Sequence, residues 1–163
     1  MMMGSVPVEQ INSPLVGRID IRSIDIRGAW TGINQLSFKS GNQAYNMGDF
    51  IPQNSNSIRA EFTNTSILTS SAYSNAYSID LITKDQTSLW GTKSSSSSVS
   101  ILFKTPVAIT EILMCDLPVD GKGAKTYIID VLTPDGTVLV SHNINTLTTV
   151  IGEVTAFPLN IPL

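Results

Sequence analysis

The chain has 163 residues, 42% of them hydrophobic, which suits a single domain that buries a full core without disulfides or metals. Charged residues make up only 14% and the formal net charge is −3, so the basic face that nucleic-acid binding requires is not expected. Every apolar run is shorter than the roughly 20 residues of a membrane-spanning helix, so membrane insertion is not expected either.

Residues 1–16 are interpreted as an extended arm that contacts neighbouring subunits, ahead of a single β-sandwich domain over residues 17–163. Pro7 and Pro14 disfavour a helix in the arm. The arm has neither the basic region nor the apolar region of a secretory signal, so none is expected there. Its candidate interface residues are Val6, Val8 and Ile11.

The segment GRIDIRSIDIRG, residues 17–28, predicts a strand with a bulge. Its isoleucines alternate with charged residues, but the alternation changes phase halfway along. A bulge or corner near Arg22–Ser23 would keep all of them on one face of the sheet. The isoleucines concerned are Ile19, Ile21, Ile24 and Ile26.

Residues 28–57 are rich in Gly, Asn and Gln, so we expect mostly loop, with a short strand over residues 33–38. Trp30, in the sequence RGAWTGIN, is either a loop anchor in the core or an interface hot spot. The sequence leaves both interpretations of Trp30 open.

Two short strands and a long polar loop follow. SIRAEFT resumes the alternation, and SILTSS, residues 66–71, predicts a short, half-polar strand. The loop AYSNAYSIDLITKDQTSLWGTKSSSSS is expected to hold one helical turn near residues 77–82. Trp90, near the end of this loop, either closes the core or contacts a ligand. The inward residues of SIRAEFT are predicted to be Ile58, Ala60 and Phe62.

The next two segments are the most apolar of the chain. SVSILFK, residues 98–104, has its large apolar side chains on one face, and Pro106 is expected to end this strand. VAITEILMC, residues 107–115, is apolar on both faces and predicts a central strand. Cys115 is the single cysteine of the chain, so no intrachain disulfide forms, and we expect it to be a buried structural thiol. The inward residues of the first segment are Val99, Ile101 and Phe103.

The C-terminal third predicts a long turn, a hairpin and a closing strand. Residues 116–125 form the turn, and Pro-Asp-Gly within residues 133–137 is a strong hairpin signal. Residues 148–161 would then close the sheet. Many short strands with turn signals and hardly any helix predict an all-β fold, a jelly-roll β-sandwich with an N-terminal extension.

The order of elements over residues 64–157 resembles the discoidin, or coagulation factor 5/8 type C, branch of the galactose-binding-like jelly rolls. The resemblance rests on a Ser-rich strand, a loop of alternating small and aromatic residues, and an Asp-x-x-Thr-x-Trp box from Asp85 to Trp90. A turn and strand from Thr105 to Ile112 and a late hairpin follow. The resemblance implies that Trp90 packs inside the sandwich.

The resemblance also implies candidate binding residues. Relatives carry ligand contacts in the loop that here holds Tyr73, Asn75 and Tyr77, and Asp116 and Lys125 bound a neighbouring loop. These residues are candidate glycan contacts, and packing of both tyrosines on the edge of the sandwich is the slightly favoured alternative.

Relatives also bind calcium near the box, so Asp85 and Thr87 are the candidate metal ligands. The usual Asp-Gly-Asp opening is Thr83-Lys84-Asp85 here, which removes one acidic oxygen. No cofactor is therefore expected.

Catalytic groups are sparse in this sequence. His142 is the single histidine, lies in a predicted hairpin strand, and is expected to be exposed. The carboxylate pairs Asp80/Asp85 and Asp116/Asp120 fit solvated turns better than paired catalytic acids. The chain is not expected to be an enzyme.

Two classes of function are compatible with these features of the sequence. The first is a non-catalytic structural component of a viral particle, such as a tail, baseplate or other virion protein of a tailed phage. Its partners would be other virion subunits and further copies of itself as a homo-oligomer, and its location would be the virion, an extracellular particle. The alternative is a free-standing glycan-binding or adhesion module that binds host surface glycans.

Overall fold

The computed structural model describes residues 14–27, 30–52, 58–72, 79, 90–92, 97–116, 123–145 and 153–162, apart from the side chains of Asp25, Arg27, Asp116 and Lys125. Within these ranges the regular structure consists of twelve β-strands. The strands are β1 (Val16–Arg27), β2 (Thr31–Ser40), β3 (Gln43–Ala44), β4 (Phe50–Ile51), β5 (Arg59–Phe62), β6 (Thr65–Thr69), β7 (Trp90–Thr92), β8 (Ser97–Val107), β9 (Glu111–Asp116), β10 (Gly123–Leu132), β11 (Val138–Ile144) and β12 (Thr155–Pro158). The described part of the chain contains no helix long and apolar enough to cross a membrane.

The strands form two antiparallel sheets that pack against each other. The larger sheet has seven strands in the order β11-β10-β1-β8-β6-β5-β4. The smaller sheet has the order β12-β9-β2-β3, and β7 pairs with the beginning of β2. The chain passes back and forth between the sheets, as in a jelly roll. The predicted all-β sandwich is confirmed.

The core fills the space between the sheets. Alternate residues of β1, β8 and β10 point inward and meet those of β2 and β9, because successive side chains of a strand lie on opposite faces. Phe38 of β2 and Phe103 of β8 make an edge-to-face contact across the sandwich, with ring centroids 5.5 Å apart. The largest fully buried aliphatic residues are Ile19, Ile21, Ile33, Ile67, Ile79, Ile101, Ile109, Ile112, Met114 and Ile129.

The predicted bulge in β1 is confirmed, but it lies slightly further along the strand. The register against β10 shifts between Ser23 and Asp25 and again between Asp25 and Ile26. Ser23 is buried, whereas the side chain of Ile24 is 46% exposed, so the prediction that Ile24 faces the core is wrong. The bulge turns Ile24 outward and returns a half-buried Ile26 to the core side.

Several strand boundaries differ from the prediction. β2 covers ten residues where mostly loop was expected. β8 continues through Pro106 to Val107, because the register against β1 is irregular between Val16 and Arg18, and proline is tolerated at such a bulge. Ile58 is exposed and precedes β5, while Ala60 and Phe62 are buried as predicted.

The C-terminal hairpin matches the prediction. β10 and β11 pair antiparallel around the turn at residues 133–137, where Thr133 N donates to Thr137 O at 2.8 Å. Gly136 has a φ of 90°, which an L-residue rarely adopts. β9 lies between β2 and β12 and is therefore internal to its sheet, as expected, although it begins only at Glu111.

Candidate functional site

The larger sheet presents a broad outer face to solvent. Since the inward residues of β1, β5, β6 and β8 are buried, the residues between them point outward. The cross-strand register aligns them in rows: Arg18 lies opposite Leu102, and Leu102 lies opposite Ser66. We call this surface the outer face; its residues are Arg18, Asp20, Arg22, Arg59, Glu61, Ser66, Leu68, Ser98, Ser100, Leu102 and Lys104.

Two leucines form the apolar centre of the outer face. The side chain of Leu68 is 42% exposed and that of Leu102 is 48% exposed. Leu68 lies opposite Ser100, so Leu102 is its diagonal neighbour, a spacing at which large side chains reach each other. A cleft of about 310 Å³ runs beside both leucines and is bordered by Arg18, Arg59 and Ser100. The two leucines form a small apolar patch on an otherwise polar face.

Glu61 organises the charged edge of the outer face. Its carboxylate accepts a hydrogen bond from Ser66 Oγ at 2.8 Å and forms ion pairs with Lys104 Nζ at 3.0 Å and Arg59 NH1 at 3.3 Å. Burial by itself would raise the pKa of Glu61, but the bonds from Ser66 and Lys104 and the two positive charges outweigh it and hold the pKa below its usual value. The carboxylate is therefore ionised at neutral pH and fixes the side chains around it.

Lys104 is anchored on both sides. Besides its ion pair with Glu61, its ammonium donates to the carbonyl oxygen of Phe62 at 2.6 Å. Arg18 forms a separate ion pair with Asp20 on the same strand, at 3.0 Å. The outer face thus combines an apolar centre with charges of both signs held in defined positions.

A groove of about 430 Å³ extends the outer face at the bulged end of β1. The hydroxyl groups of Ser23 and Ser97 are hydrogen-bonded to each other at 2.9 Å and form its floor. Ser98 N donates to Ser70 Oγ at 3.1 Å along one wall. Exposed Ile24 and the guanidinium of Arg22 also line the groove, and within the described ranges Arg22 makes no ion pair.

Trp90 closes the core at the same end of the molecule. Its side chain is 1% exposed, which confirms the predicted core position. Its indole N–H donates to the carbonyl oxygen of Ser71 at 2.9 Å, and the hydroxyls of Ser71 and Thr92 are 2.7 Å apart. Because Ser71 follows β6 of the larger sheet and Trp90 lies in β7 of the smaller sheet, these bonds tie the two sheets together.

Most of the site residues predicted from the sequence lie outside the described part of the chain. This holds for the candidate glycan residues, the candidate calcium ligands and the candidate arm contacts: Tyr73, Asn75, Tyr77, Asp85, Thr87, Val6, Val8 and Ile11. The expected helical turn also lies outside it, except for Ile79, which is buried. Over the ranges that are described, no group of three or more His, Cys, Asp or Glu residues is placed to hold a metal.

The backbones of three other predicted residues are described. Asp116 ends β9, with its Cα opposite Ile33, whereas Lys125 lies in β10 of the other sheet. Trp30 is half-buried, and its carbonyl oxygen accepts a hydrogen bond from Gly123 N at 3.1 Å. Both interpretations of Trp30 stay open at such a position.

His142 and Cys115 are both shielded from solvent, His142 partly and Cys115 fully. Instead of being exposed, His142 is half-buried: its ring lies 5.2 Å from that of Phe157, and a ring nitrogen is hydrogen-bonded to the carbonyl oxygen of Leu159. His142 lies on the inner side of β11, above β12, so the expectation that it is exposed is wrong. Cys115 is fully buried, as predicted.

The outer face was not identified from the sequence, although a signal for it exists there. In SILF the alternation that points Ile101 and Phe103 inward must point Leu102 outward, and Leu68 stands in the same relation to Ile67. The sequence therefore contains one indication of this surface: a large apolar residue at a strand position whose side chain points outward.

Comparisons with models of protein families, with curated proteins and with solved structures give no match for this chain.

Proposed function

We propose that this chain is a non-catalytic structural subunit of a viral particle, of the kind found in the tail or baseplate of a tailed phage. In this proposal the subunit is built on a sandwich related to the discoidin-like, galactose-binding-like domains, and its outer face contacts a neighbouring protein. The observation that carries the proposal is the pair of exposed leucines, Leu68 and Leu102, at the centre of that face.

Covering the outer face with a partner removes apolar surface from water, which favours association. Full burial of a leucine side chain contributes roughly 1.5–3 kcal/mol, and covering the exposed part of Leu68 or Leu102 contributes about half of that. The fixed charges of Arg18, Arg59 and Glu61 around them favour a partner with matching charges and disfavour others. A surface of this composition serves lasting contact between subunits rather than chemistry on a small substrate.

The proposal predicts that the protein travels with particles. Particles purified on a density gradient from cells that make this protein are probed with an antibody against the chain. We expect the chain in the particle fraction together with other subunits. Recovery of the chain only among free proteins would overturn the proposal.

A matched pair of variants tests the outer face itself. Leu68→Asp with Leu102→Asp places two charges in the contact, and we expect loss of the chain from the particle fraction. Val154→Asp is the control, because Val154 is exposed to the same extent as Leu68, at 42%, but is not part of the outer face. Circular dichroism melting checks that both variants fold. Full incorporation of the double variant would exclude this face as the contact.

The groove at the bulged end of β1 favours a second candidate, a glycan-binding or adhesion module. Hydroxyls, a guanidinium and an apolar wall are groups that bind sugars, and the groove residue Ser70 lies just ahead of the segment that holds Tyr73 and Tyr77. A glycan array of the wild-type chain tests it, with Arg22→Gln, Tyr73→Ala and Tyr77→Ala as variants. Loss of binding without a lower melting temperature is expected, and a blank wild-type array would remove this candidate.

A further inference from the structure

Five strands lie at a sheet edge in the described part of the sandwich, and they differ in how they are protected. An edge strand carries unpaired backbone N–H and C=O groups and pairs with other chains unless it is short, charged or interrupted by proline. β3 and β4 have two residues each, β7 has three, and β12 has four residues and ends at Pro158. β11 has seven residues, VLVSHNI, with neither proline nor an acidic or basic residue other than His142.

One side of β11 is unpaired within the described part of the chain. Its ladder with β10 runs from the pair Ile144–Tyr127 to the pair Val138–Leu132 and uses the side facing β10. Beyond this ladder, residues 138–144 make no backbone hydrogen bond to the described part of the chain. Ser141 donates to Asp130 of β10, and His142 bonds to Leu159 beneath the sheet, so neither side chain covers the open side. No described residue pairs with the outward backbone groups of β11, and these groups suit pairing with another strand.

A second copy of β11 suits this edge better than a charged foreign strand. Two copies related by a two-fold axis pair antiparallel, each presenting the same residues to the other. The exposed strand residues are uncharged, and the ring of His142 is directed inward, so no like charges meet. The nearest outward carboxylates are the two copies of Asp130, three strand spacings or about 14 Å apart, which is beyond the Debye length of about 8 Å.

The pairing also covers apolar surface. Val138 is 54% exposed at one end of β11, and an antiparallel partner places its own Ile144 end beside it. Leu139 and Val140 are half-buried and pack on the core from the same strand. A neighbouring strand would shield these side chains on the side that β10 leaves open.

We propose that β11 pairs with β11 of a second copy of this chain, so that the two larger sheets join into one continuous sheet. The inference goes beyond the proposed function, because a surface separate from the outer face carries it. A single strand pair buries little area, so the free dimer is weak and gains strength where other contacts hold two copies side by side.

Sedimentation velocity of the full chain over about a hundredfold range of concentration tests the pairing. We expect a dimer fraction that rises with concentration. Ser141→Glu introduces a charge at the centre of β11, and Asn145→Glu, just beyond the strand, is the matched control. The first substitution is expected to raise the dimer Kd by about tenfold or more, since Ser141 lies opposite Ser141 of the second copy when Val138 lies beside Ile144, and two like charges then meet directly. The second substitution is expected to leave the Kd unchanged. Equal dimerisation of both variants would overturn the assignment to β11.

A cross-linking measurement locates the contact independently. Because Cys115 is buried, a cysteine introduced as Ser141→Cys is the reactive thiol, and a short bismaleimide is expected to link two copies. Gln43→Cys, on the edge strand β3, is the control and is expected to give no linked dimer. A wild-type chain that stays monomeric and a Ser141→Cys variant that gives no linked dimer would together refute the pairing.

The experiments distinguish failure of the proposed function from failure of the β11 pairing. The variant Leu68→Asp with Leu102→Asp is expected to keep the β11 dimer, because neither leucine lies on β11. A wild-type dimer together with absence from particles would therefore remove the proposed function and leave this inference standing.

Discussion

Trp90 shows how one residue joins the two sheets. Its ring fills the core, and its indole N–H satisfies the carbonyl of Ser71, which follows a strand of the opposite sheet. The resemblance to a known family places this residue inside the sandwich, and the structure confirms that position. The hydrogen-bond partner was not predictable, since it depends on how the end of β6 meets β7.

Trp90→Phe is expected to lower the free energy of unfolding by about 2–4 kcal/mol. The smaller ring leaves a cavity, and the Ser71 carbonyl loses its partner inside the protein. Urea unfolding followed by circular dichroism measures the change. Trp30→Phe, at a half-buried position, is the control and should cost less. Equal losses in both variants would contradict the special position of Trp90.

Glu61 predicts a pH dependence of stability. Because its pKa is depressed in the folded state, its stabilising contribution is complete above the unfolded value of about 4.5 and is lost as the pH falls through the folded value. Glu61→Gln removes the charge and keeps the shape. At neutral pH we expect the variant to be less stable by up to about 1 kcal/mol.

The measurement is the melting temperature of wild type and Glu61→Gln from neutral pH to below the unfolded pKa. The gap between the two curves is expected to narrow as the solution becomes acidic. Parallel curves over the whole range would show that the ion pairs with Arg59 and Lys104 contribute nothing to folding.

At the scale of elements, alternation in the sequence identifies strands whose two faces differ. β8 and the bulge in β1 were predicted for this reason, whereas the β10–β11 hairpin was predicted from its Pro-Asp-Gly turn. β2 was underestimated because it is buried on both faces over residues 31–34, where Thr31 and Asn34 interrupt any apolar pattern. The end of β8 was misplaced because tolerance of Pro106 depends on a bulge against β1, a strand far away in the sequence.

The candidate site was less predictable than the fold. A row such as Arg18, Leu102, Ser66 and Glu61 is created by the register of four strands that the chain visits at distant points. The sequence neighbours of each of these residues do not distinguish it from other surface residues. What could be inferred locally was that Leu102 points outward, but not which charges surround it.

The turn between β10 and β11 supports a prediction about backbone conformation. A side chain at Gly136 would meet no atom within 4 Å, so any cost of substitution comes from the positive φ of 90°. Gly136→Ala is expected to destabilise the fold by about 1–2 kcal/mol. Gly136→Asn is expected to cost less, because asparagine tolerates this region better. Chemical denaturation measures the free energy of unfolding of wild type and both variants. Equal stability of wild type and Gly136→Ala would show that the positive φ at this turn imposes no cost on a side chain.

At the scale of the molecule, the outer face and the open edge of β11 belong to the same sheet but face different directions. The outer face points away from the sandwich, whereas the β11 edge extends the sheet sideways. In our two proposals, the outer face contacts unlike neighbours and the β11 edge contacts a second copy of the chain. This arrangement is what a repeating particle requires of its building blocks.

The arm of residues 1–16 supplies the last prediction. The first strand begins at Val16, which pairs with Val107, so deletion of residues 1–13 leaves every described strand pair in place. We expect the truncated chain to melt within about 2 °C of the full chain, since every residue of the described core is kept. If the arm contacts neighbouring subunits through Val6, Val8 and Ile11, the truncated chain is lost from the particle fraction while its fold is intact. Triple substitution of these residues by serine in the full chain is expected to give the same loss. Normal incorporation of both variants would assign assembly to the sandwich alone and exclude the arm from it.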